Sequence, residues 1–303
     1  MKRLLIFIGI TFSFSLYGQN RFNITQYMLQ KPSINFASIS SFSSINAALL
    51  HREQWVGFEG APSTSMFSFS SPLKSTKLSM GGTAYHDRIG VHAITNVNLG
   101  LSYRLKLNNS NFLALAIDGG LSNISSDYDI LALQDNDDLA FLSNNASLLQ
   151  PDFGFSAYFF SKKYYLGISI PSLVRGANYY TGDQLVLPQD FHYFATLGYE
   201  FELGKKFDLG VSSLLKAVVN APVQVDLNAQ LMYNNSFGVG LSYRSSDEIA
   251  TILTFKIKER FTISYSYDVG FSDLARYHDN THEILLIFDA PSKKILPFSS
   301  PRF

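Results

Sequence analysis

The sequence predicts an all-β fold, a transmembrane outer-membrane β-barrel of about 14 antiparallel, up-and-down strands. Only 16% of the 303 residues are charged and 15% are aromatic, whereas soluble domains average roughly 25% charged residues. Mean hydropathy is +0.06, a value that fits such a barrel because its strands are apolar on one face only. After the N-terminus, no stretch approaches the roughly 20 apolar residues that a membrane helix needs.

The N-terminus has the features of a secretory signal peptide over residues 1–18. Lys2 and Arg3 are followed by an apolar core, residues 4–16, and the small Gly18 precedes the expected cleavage point. We therefore expect an exported protein. The predicted divisions after the signal peptide are a periplasmic N-terminal segment (19–44), the barrel (45–290) and a periplasmic C-terminal tail (291–303).

Alternation between apolar and polar residues supports the individual strands. In the segment 95–107, odd positions are mainly apolar and even positions are polar, basic or small. Many segments run for about 9 to 13 residues, the length of a tilted membrane strand rather than of an ordinary globular strand. The predicted strands lie near 45–56, 63–72, 76–88, 92–107, 111–123, 151–161, 163–172, 190–203, 207–219, 222–234, 236–245, 248–259, 260–270 and 280–290.

The connections between these strands alternate in length. With the N-terminus in the periplasm, every periplasmic connection is a short turn, and all long connections fall on the other side, at 124–150, 173–189 and 271–279. Short turns on one side and long loops on the other are typical of outer-membrane barrels.

Composition excludes several function classes. The chain has no cysteine and a formal net charge of zero, which excludes thiolate catalysis and Cys-ligated zinc and argues against nucleic-acid binding. None of the six histidines forms the His-x-x-x-His pair of a helix-borne zinc site. His278 and His282 are four apart, but they lie at a loop–strand junction, where four residues span roughly 13 Å. We expect no catalytic site, cofactor or metal, and no enzymatic activity.

A run centred on the only tryptophan, "HREQWVGFEGAPST" (51–64), resembles the signature of the PorP/SprF family of outer-membrane proteins, from the type IX secretion system of Bacteroidota. The stretches 26–35, 81–90 and 151–173 resemble further family segments in the family's order. The sequence departs from the family's Asn-Pro-Ala-Tyr-Ala-Gly stretch, because Phe36 stands where the proline is usual. The matching residues of the signature are Arg52, Gln54, Trp55, Val56, Gly57, Phe58, Gly60, Ala61 and Pro62.

The resemblance implies a non-enzymatic component of type IX secretion or gliding motility in the outer membrane, which helps export a large adhesin-type client or attach it at the surface. It implies as partners the outer-membrane lipid, the client and periplasmic or outer-membrane secretion components. Two alternatives stay open. The first is a porin-like or substrate-specific channel, and the second is a structural linker between the outer membrane and the periplasmic machinery.

The Trp-centred run is the first extracellular connection in this topology. Trp55 either anchors its strand at the lipid headgroups, as girdle aromatics do, or belongs to a turn that folds toward the barrel mouth and contacts a client. The last predicted strand, "THEILLIFDA", begins with a His-Glu pair that could suggest acid/base chemistry and that we interpret as rim chemistry. The candidate rim and client contacts are Arg52, Gln54, Trp55, Gly57, Phe58, Gly60, Pro62, His282 and Glu283.

The apolar run 284–288 of the last strand does not alternate cleanly, so its lumen face is expected to be partly apolar. A filled lumen or a bound client explains such a face, whereas an open aqueous pore does not. Charges of both signs are predicted to line the lumen, either as a salt-bridged lattice or as a recognition surface for a client segment. The candidate lumen-lining residues are Arg104, Asp118, Glu200, Lys216, Asp226, Arg244, Lys256 and Asp268.

Overall fold

The structure is a computed structural model that describes residues 23–73, 77–128, 146–173, 179–181, 184–186, 191–218, 221–245, 248–258, 260–271, 279–291, 300–301 and 303. Its strands are β1 (Ser44–Glu53), β2 (Ser63–Pro72), β3 (Leu78–Ile89), β4 (His92–Lys106), β5 (Phe112–Ser126), β6 (Ala146–Phe160), β7 (Tyr164–Ile170), β8 (Tyr179–Thr181), β9 (Gln184–Val186), β10 (His192–Glu202), β11 (Phe207–Val218), β12 (Gln224–Tyr233), β13 (Phe237–Arg244), β14 (Glu248–Ile257), β15 (Phe261–Gly270) and β16 (Thr281–Pro291). No helix within these ranges is long and apolar enough to cross a membrane.

Fourteen of these strands form a closed antiparallel barrel, which confirms the predicted fold class. Each strand pairs with its neighbours in the chain, except that β7 pairs with β10 because β8 and β9 form a separate two-stranded sheet. Strand β16 pairs with β1, in a register that joins Ser44 to Pro291 and Glu53 to His282. This closing seam leaves the barrel no free edge. A sheet in lipid must be closed in this way, because the hydrocarbon offers no partner for unpaired backbone groups.

The barrel has two unlike ends. At one end, the short-turn end, the chain enters β1 and turns of three to five residues, such as 107–111 and 161–163, join the strands. At the other, the long-loop end, lie the connections 127–145, 171–191 and 271–280. Most of the residues in these three connections lie outside the described residues. The predicted length asymmetry is therefore present, and the assignment of the short-turn end to the periplasm stays a prediction.

The two faces of the wall are inverted relative to a soluble protein. Along β12, the side chains of Asp226 and Gln230 are buried inside the barrel, while Leu227 and Leu231 are exposed on its outer surface. An apolar exterior belongs against lipid, and a polar interior needs water or protein to satisfy it.

The interior is filled by the chain's own N-terminal segment. All residues from 24 to 42, which we call the plug, are buried within the barrel. The plug contains two short 3₁₀ helices, Lys31–Ser33 and Phe36–Ser41. It runs from the charged ends of β11 and β13 at the long-loop end to the start of β1 at the short-turn end.

This arrangement differs from the flanking position that the sequence suggested for both terminal segments. Ser300, Pro301 and Phe303 of the C-terminal tail are also buried, beneath the plug. The physical reason is the inner wall itself, where Leu285 and Ile287 point inward and pack with the plug. Apolar side chains facing a lumen are stable only when other apolar groups cover them. On which side of the membrane the terminal segments begin and end stays a prediction.

Candidate functional site

The first loop, residues 54–62, locks the closing seam at the long-loop end. Val56 N donates to Asn280 O at 3.0 Å, and Asp279 N donates back to Val56 O at 2.7 Å. Trp55 N donates to Thr281 Oγ1 at 3.2 Å. These bonds continue the β1–β16 pairing beyond the strands, so the Trp-centred run stabilises the strand pair that closes the barrel.

Backbone conformation explains the glycines of this run. Gly57 and Gly60 have φ values of +86° and +72°, a region that side chains with a Cβ rarely adopt. Trp55 also has a positive φ, +49°, which is uncommon for a bulky residue. Gly60 O accepts a hydrogen bond from Gly90 N at 2.8 Å. The loop is thus a fixed structure tied to the β3–β4 turn.

The predicted rim residues separate into three groups in the structure. Phe58 is exposed, together with the neighbouring Val56, and Trp55 is partly exposed. His282 faces outward, with its ring nitrogen Nδ1 2.6 Å from the Tyr265 hydroxyl. The remaining side chains are buried, namely Gln54, Pro62, Arg52 and Glu283.

Arg52 and Glu283 thus lie below the rim surface. Both have 0% exposure, because their side chains point inward from the seam strands toward the plug. Arg52 Nη1 lies 2.6 Å from Asp268 Oδ2 and 3.2 Å from Glu283 Oε2. Its Nη2 lies 3.7 Å from Glu248 Oε2. A fully buried arginine is stable only with such paired carboxylates.

A second set of ion pairs extends this arrangement along the wall. Arg244 Nε lies 3.3 Å from Asp226 Oδ1, and Lys216 Nζ lies 3.2 Å from Asp226 Oδ2. Arg244 also pairs with Glu248, which links the two sets. All of these residues sit near the long-loop ends of their strands. We call them the charged cluster, which consists of Arg52, Lys216, Asp226, Arg244, Glu248, Asp268 and Glu283.

The charged cluster binds the upper plug, residues 24–31, largely through its backbone. The two carboxylate oxygens of Glu283 accept from the successive amides Thr25 N, at 3.0 Å, and Gln26 N, at 2.9 Å. The hydroxyl of Thr25 donates to Asp268 Oδ2. Arg244 Nη2 donates to Ile24 O at 3.3 Å. One carboxylate that holds two neighbouring N–H groups recognises a bent polypeptide backbone rather than any particular side chain.

Apolar wall residues surround the same segment below the charged cluster. Tyr27 and Met28 are at most 2% exposed and pack among the inward side chains of several strands. The Tyr27 hydroxyl lies 3.1 Å from Ser212 Oγ, and burial raises the pKa of this hydroxyl far above its usual range. The wall residues that we call the apolar collar are Leu50, Met66, Phe194, Leu214, Ile252, Leu285 and Ile287.

The lower plug, residues 34–42, is attached to the opposite side of the wall, at β4 to β7. Asn35 Nδ2 donates to the carbonyls of Ala157 and Ile168, at 3.0 and 2.9 Å. Ser40 Oγ donates to Ser102 Oγ at 2.8 Å. Phe36, Ala37 and Ile39 pack with an aromatic group on the inner wall. That group consists of Phe112, Tyr158, Phe160 and Tyr165, joined by Phe303.

Lys31 and the C-terminal tail support the plug from the short-turn end. The Lys31 ammonium lies 3.9 Å from the centroid of the Tyr165 ring and donates to Pro301 O. Phe303 stacks on Tyr165 with ring centroids 6.2 Å apart. A buried cation between an aromatic face and a carbonyl keeps favourable electrostatic contacts in place of water.

The remaining predicted lumen residues lie on inner faces away from the charged cluster. Arg104 is buried over the Phe112 ring and donates to Ser40 O at 3.3 Å. Asp118 accepts from Asn98 Nδ2 at 3.3 Å. Glu200 and Lys256 are partly buried near the short-turn end. The eight predicted residues therefore all occupy inward positions, but they belong to separate neighbourhoods.

Sequence reasoning missed the plug's own contacts. It named Asp268 and Glu283 without the backbone of Thr25 and Gln26, which they hold, and it omitted Glu248. Two signals pointed to the missing partner. One was the non-alternating run 284–288, and the other was the N-terminal segment, which has only one charged residue, Lys31, between 24 and 42.

The arrangement holds a polypeptide segment inside the barrel. Among the described residues, no group of three or more His, Asp or Glu side chains is placed to bind a metal ion. Within the part of the chain that the structure describes, two candidate recognition surfaces are the exposed part of the first loop and the inner seat, which is formed by the charged cluster and the apolar collar.

No curated protein matches the chain. Solved barrels do match, each with TM-scores below 0.5. The Ralstonia pickettii toluene transporter TbuX has TM-score 0.49 at 8% identity, covering 88% of this chain and 93% of that one. A Pseudomonas aeruginosa FadL homologue has 0.46 at 10%, covering 90% and 94%. The Acinetobacter baumannii outer membrane protein Omp33 has 0.44 at 8%, covering 82% and 99%.

A family model is more informative, because it spans nearly the whole described barrel. The model for the type IX secretion system membrane protein PorP/SprF matches residues 16–288. That range includes the plug, the first loop and most of β16. The chain therefore belongs to the PorP/SprF family of type IX secretion system membrane proteins.

Proposed function

We propose that this outer-membrane protein helps export or surface-attach a large adhesin-type client of type IX secretion, without catalysing a reaction. Family membership over residues 16–288 is the observation that carries the proposal. The family and the barrel fold are those of secretion and transport membrane proteins. The client and the specific secretion partners are part of the proposal.

The first loop supports a role in contacting a partner at the long-loop end. Its backbone is fixed by hydrogen bonds to Asn280, Asp279 and Gly90, yet it leaves Val56 and Phe58 37% and 41% exposed. Rigid loops that display apolar side chains lose little conformational entropy when they bind. We therefore assign the client contact of this proposal to Val56 and Phe58, with Trp55 beside them.

The filled lumen argues against the passive-channel alternative. Residues 24–42 and the described tail residues occupy the interior, and the apolar collar is covered by Tyr27 and Met28. An open pore would expose that collar to water. The purified protein is therefore expected to show little ion conductance in planar bilayers, and steady conductance of porin size would favour the channel instead.

Co-purification distinguishes the structural-linker alternative from the client proposal. Periplasmic ring proteins that remain bound during detergent purification would support it. The client proposal requires no such retention.

Gene deletion tests the proposal directly. Cells that lack this protein should lose most of the client from the cell surface, measured by antibody labelling of intact cells. Normal secretion and surface attachment in the deletion strain would contradict the proposal.

Complementation with loop variants then tests the rim assignment. Phe58→Ser should restore less surface client than the wild type, because it removes an exposed apolar contact. Ile89→Ser is the matched control, since Ile89 is similarly exposed at the same end, 47% against 41% for Phe58, but lies outside the first loop. Equal amounts of surface client with the two variants would show that Phe58 does not contact the client.

A further inference from the structure

The inner seat holds the upper plug as a binding site holds a peptide, through many contacts to the backbone. Glu283 holds two backbone amides, and Arg244 Nη2 donates to a backbone carbonyl. Hydrogen bonds to the main chain are available to any segment that adopts the same bend. Side chains are recognised by the apolar collar, at the positions of Tyr27 and Met28. Polar wall groups also recognise them, since Thr25 Oγ1 contacts Asp268 and Arg52 and Gln30 Nε2 donates to Ser68 Oγ.

The upper plug also contributes little structure of its own. Between residues 24 and 30 its described backbone–backbone hydrogen bonds are a single turn, in which Leu29 N and Gln30 N donate to Gln26 O at 3.0 and 3.1 Å. A segment with so few internal bonds depends on the wall for its conformation, and its departure breaks no strand pairing.

The fit between the upper plug and the charged cluster is incomplete. Within the described part of the chain, Arg52 Nε and Gln26 Oε1 are buried without a hydrogen-bond partner. A buried polar atom without a partner has lost its hydrogen bonds to water and has gained none in return. Of these two atoms, Arg52 Nε belongs to the inner seat, so the seat has a hydrogen-bond donor that residues 24–31 do not use and that another occupant could use.

We propose that residues 24–31 are an exchangeable internal ligand, and that their seat binds an uncharged, partly apolar polypeptide segment of the secreted client. This inference rests on the proposed function, because it names what the client does at the same protein. The client segment presents two successive backbone N–H groups to Glu283 and apolar side chains to the collar. The collar stays covered throughout, so exchange opens no water-filled pore.

Covalent attachment sets a condition on this exchange. A tethered segment has an effective local concentration on the order of millimolar. A free client segment would compete poorly against it. A client held at the first loop gains a comparable local concentration, because Arg52 lies only a few residues from the exposed Val56 and Phe58. The lower plug keeps its wall contacts and stays in place.

Single cysteines can follow the exchange, because the chain contains none. Met28→Cys places a thiol at a position with 0% exposure in the upper plug, and Ser38→Cys does so in the lower plug. Intact cells are treated with a membrane-impermeant maleimide, with and without the client gene. We expect Met28→Cys to be labelled only when the client is present, and Ser38→Cys to be protected in both strains.

The outcomes that overturn the proposal are equally specific. Protection of Met28→Cys in both strains means that the upper plug does not leave, and equal labelling in both means that the client does not drive its departure. If gene deletion removes the client from the surface while Met28→Cys stays protected, the proposed function stands and the exchange fails. If deletion leaves the client in place, the proposed function fails independently of the labelling.

A variant of the seat tests the same idea without the client. Glu283→Gln loses a charged acceptor of two amides, so Met28→Cys should be labelled roughly tenfold faster in the strain without the client. His282→Gln is the matched control, because its side chain faces outward toward Tyr265. Unchanged heat-modifiable gel migration shows that the barrel is intact, and an unchanged labelling rate in Glu283→Gln would contradict the role of this carboxylate.

Discussion

The upper plug, residues 24–31, and the lower plug, residues 34–42, occupy one lumen but are held by different groups. The upper plug meets charged side chains of β11 to β16 and β1, in which three basic residues pair with four carboxylates. The lower plug meets hydroxyls, carbonyls and aromatic rings of β4 to β7. The tail packs beneath the lower plug, where Ser300 N donates to Ser41 O at 3.3 Å, and it also accepts a hydrogen bond from Lys31 at the end of the upper plug.

This difference matters for how each half responds to change. Removing one member of a buried ion pair leaves an uncompensated charge, whereas removing a neutral hydrogen bond or a ring contact has a smaller cost. The upper plug should therefore be sensitive to single charge changes. The lower plug should lose stability in small steps, and so suits a permanent anchor.

The largest effect is expected at the centre of the charged cluster. Arg52→Met leaves Asp268 and Glu283 buried without their shared cation, so the free energy of unfolding should fall by about 3–5 kcal/mol. Denaturant unfolding in lipid vesicles measures this change. A double variant, Arg52→Met with Glu283→Gln, should recover part of the loss, because it removes one of the stranded charges. A loss below about 1 kcal/mol in the single variant would mean that the cluster does not depend on Arg52.

The next effect concerns the support of the lower plug by the tail. A Cβ added at Gly210 would overlap the Phe303 ring, so Gly210→Ala should displace Phe303 from Tyr165 and cost about 1–3 kcal/mol. Faster removal of the C-terminal residues by carboxypeptidase in detergent checks the displacement. Gly240→Ala is the control, because its nearest contact is 3.2 Å away and is not part of the tail. Equal digestion of the two variants would contradict the packing.

A smaller effect is expected for a single hydroxyl of the lower plug. Ser40→Ala removes the hydrogen bond to Ser102 Oγ and should lower the free energy of unfolding by about 1 kcal/mol. In a double-mutant cycle with Ser102→Ala, the combined loss should be less than the sum of the two single losses. Additive losses would show that these two side chains do not interact.

The smallest effect is expected outside the lumen. Lys163 Nζ lies 3.3 Å from Glu202 Oε1, with both side chains about half exposed. Exposed ion pairs contribute roughly 0–1 kcal/mol, so Lys163→Ala should leave the unfolding midpoint almost unchanged. The same measurement at high salt should show no further difference between this variant and the wild type. A loss of stability comparable to that of Arg52→Met would contradict the expectation that buried ion pairs matter more than exposed ones.

The wall of the barrel was predictable because its determinants are local. Period-two alternation in segments such as 95–107 fixes which side chains face lipid, and a shift of one residue would turn every side chain to the wrong face. The predicted strand ends therefore fall within a few residues of β1, β2 and β13, for example. Strand β6 begins at Ala146, well before the predicted 151, because Ala146–Gln150 pair with β5 although the sequence marks no strand there.

The candidate site was predictable only as separate pieces. The inward position of Asp226 or Asp268 follows from strand parity alone. Their pairing with Lys216 and Arg52 depends on register between strands, and Asp268 to Arg52 crosses from β15 to β1 over β16. The exposed Val56 and Phe58 follow the buried Arg52 by four and six residues, and alternation cannot say how deep each residue lies.

By itself, the sequence determined the barrel, the number of its strands, the apolar outer face and the family signature around Trp55, because each is written in short-range patterns. Only the tertiary structure decided that residues 24–42 fill the lumen and that Glu283 holds the amides of Thr25 and Gln26. Those contacts join positions more than 250 residues apart, and they form only after the strands have closed into a wall whose apolar collar needs a cover.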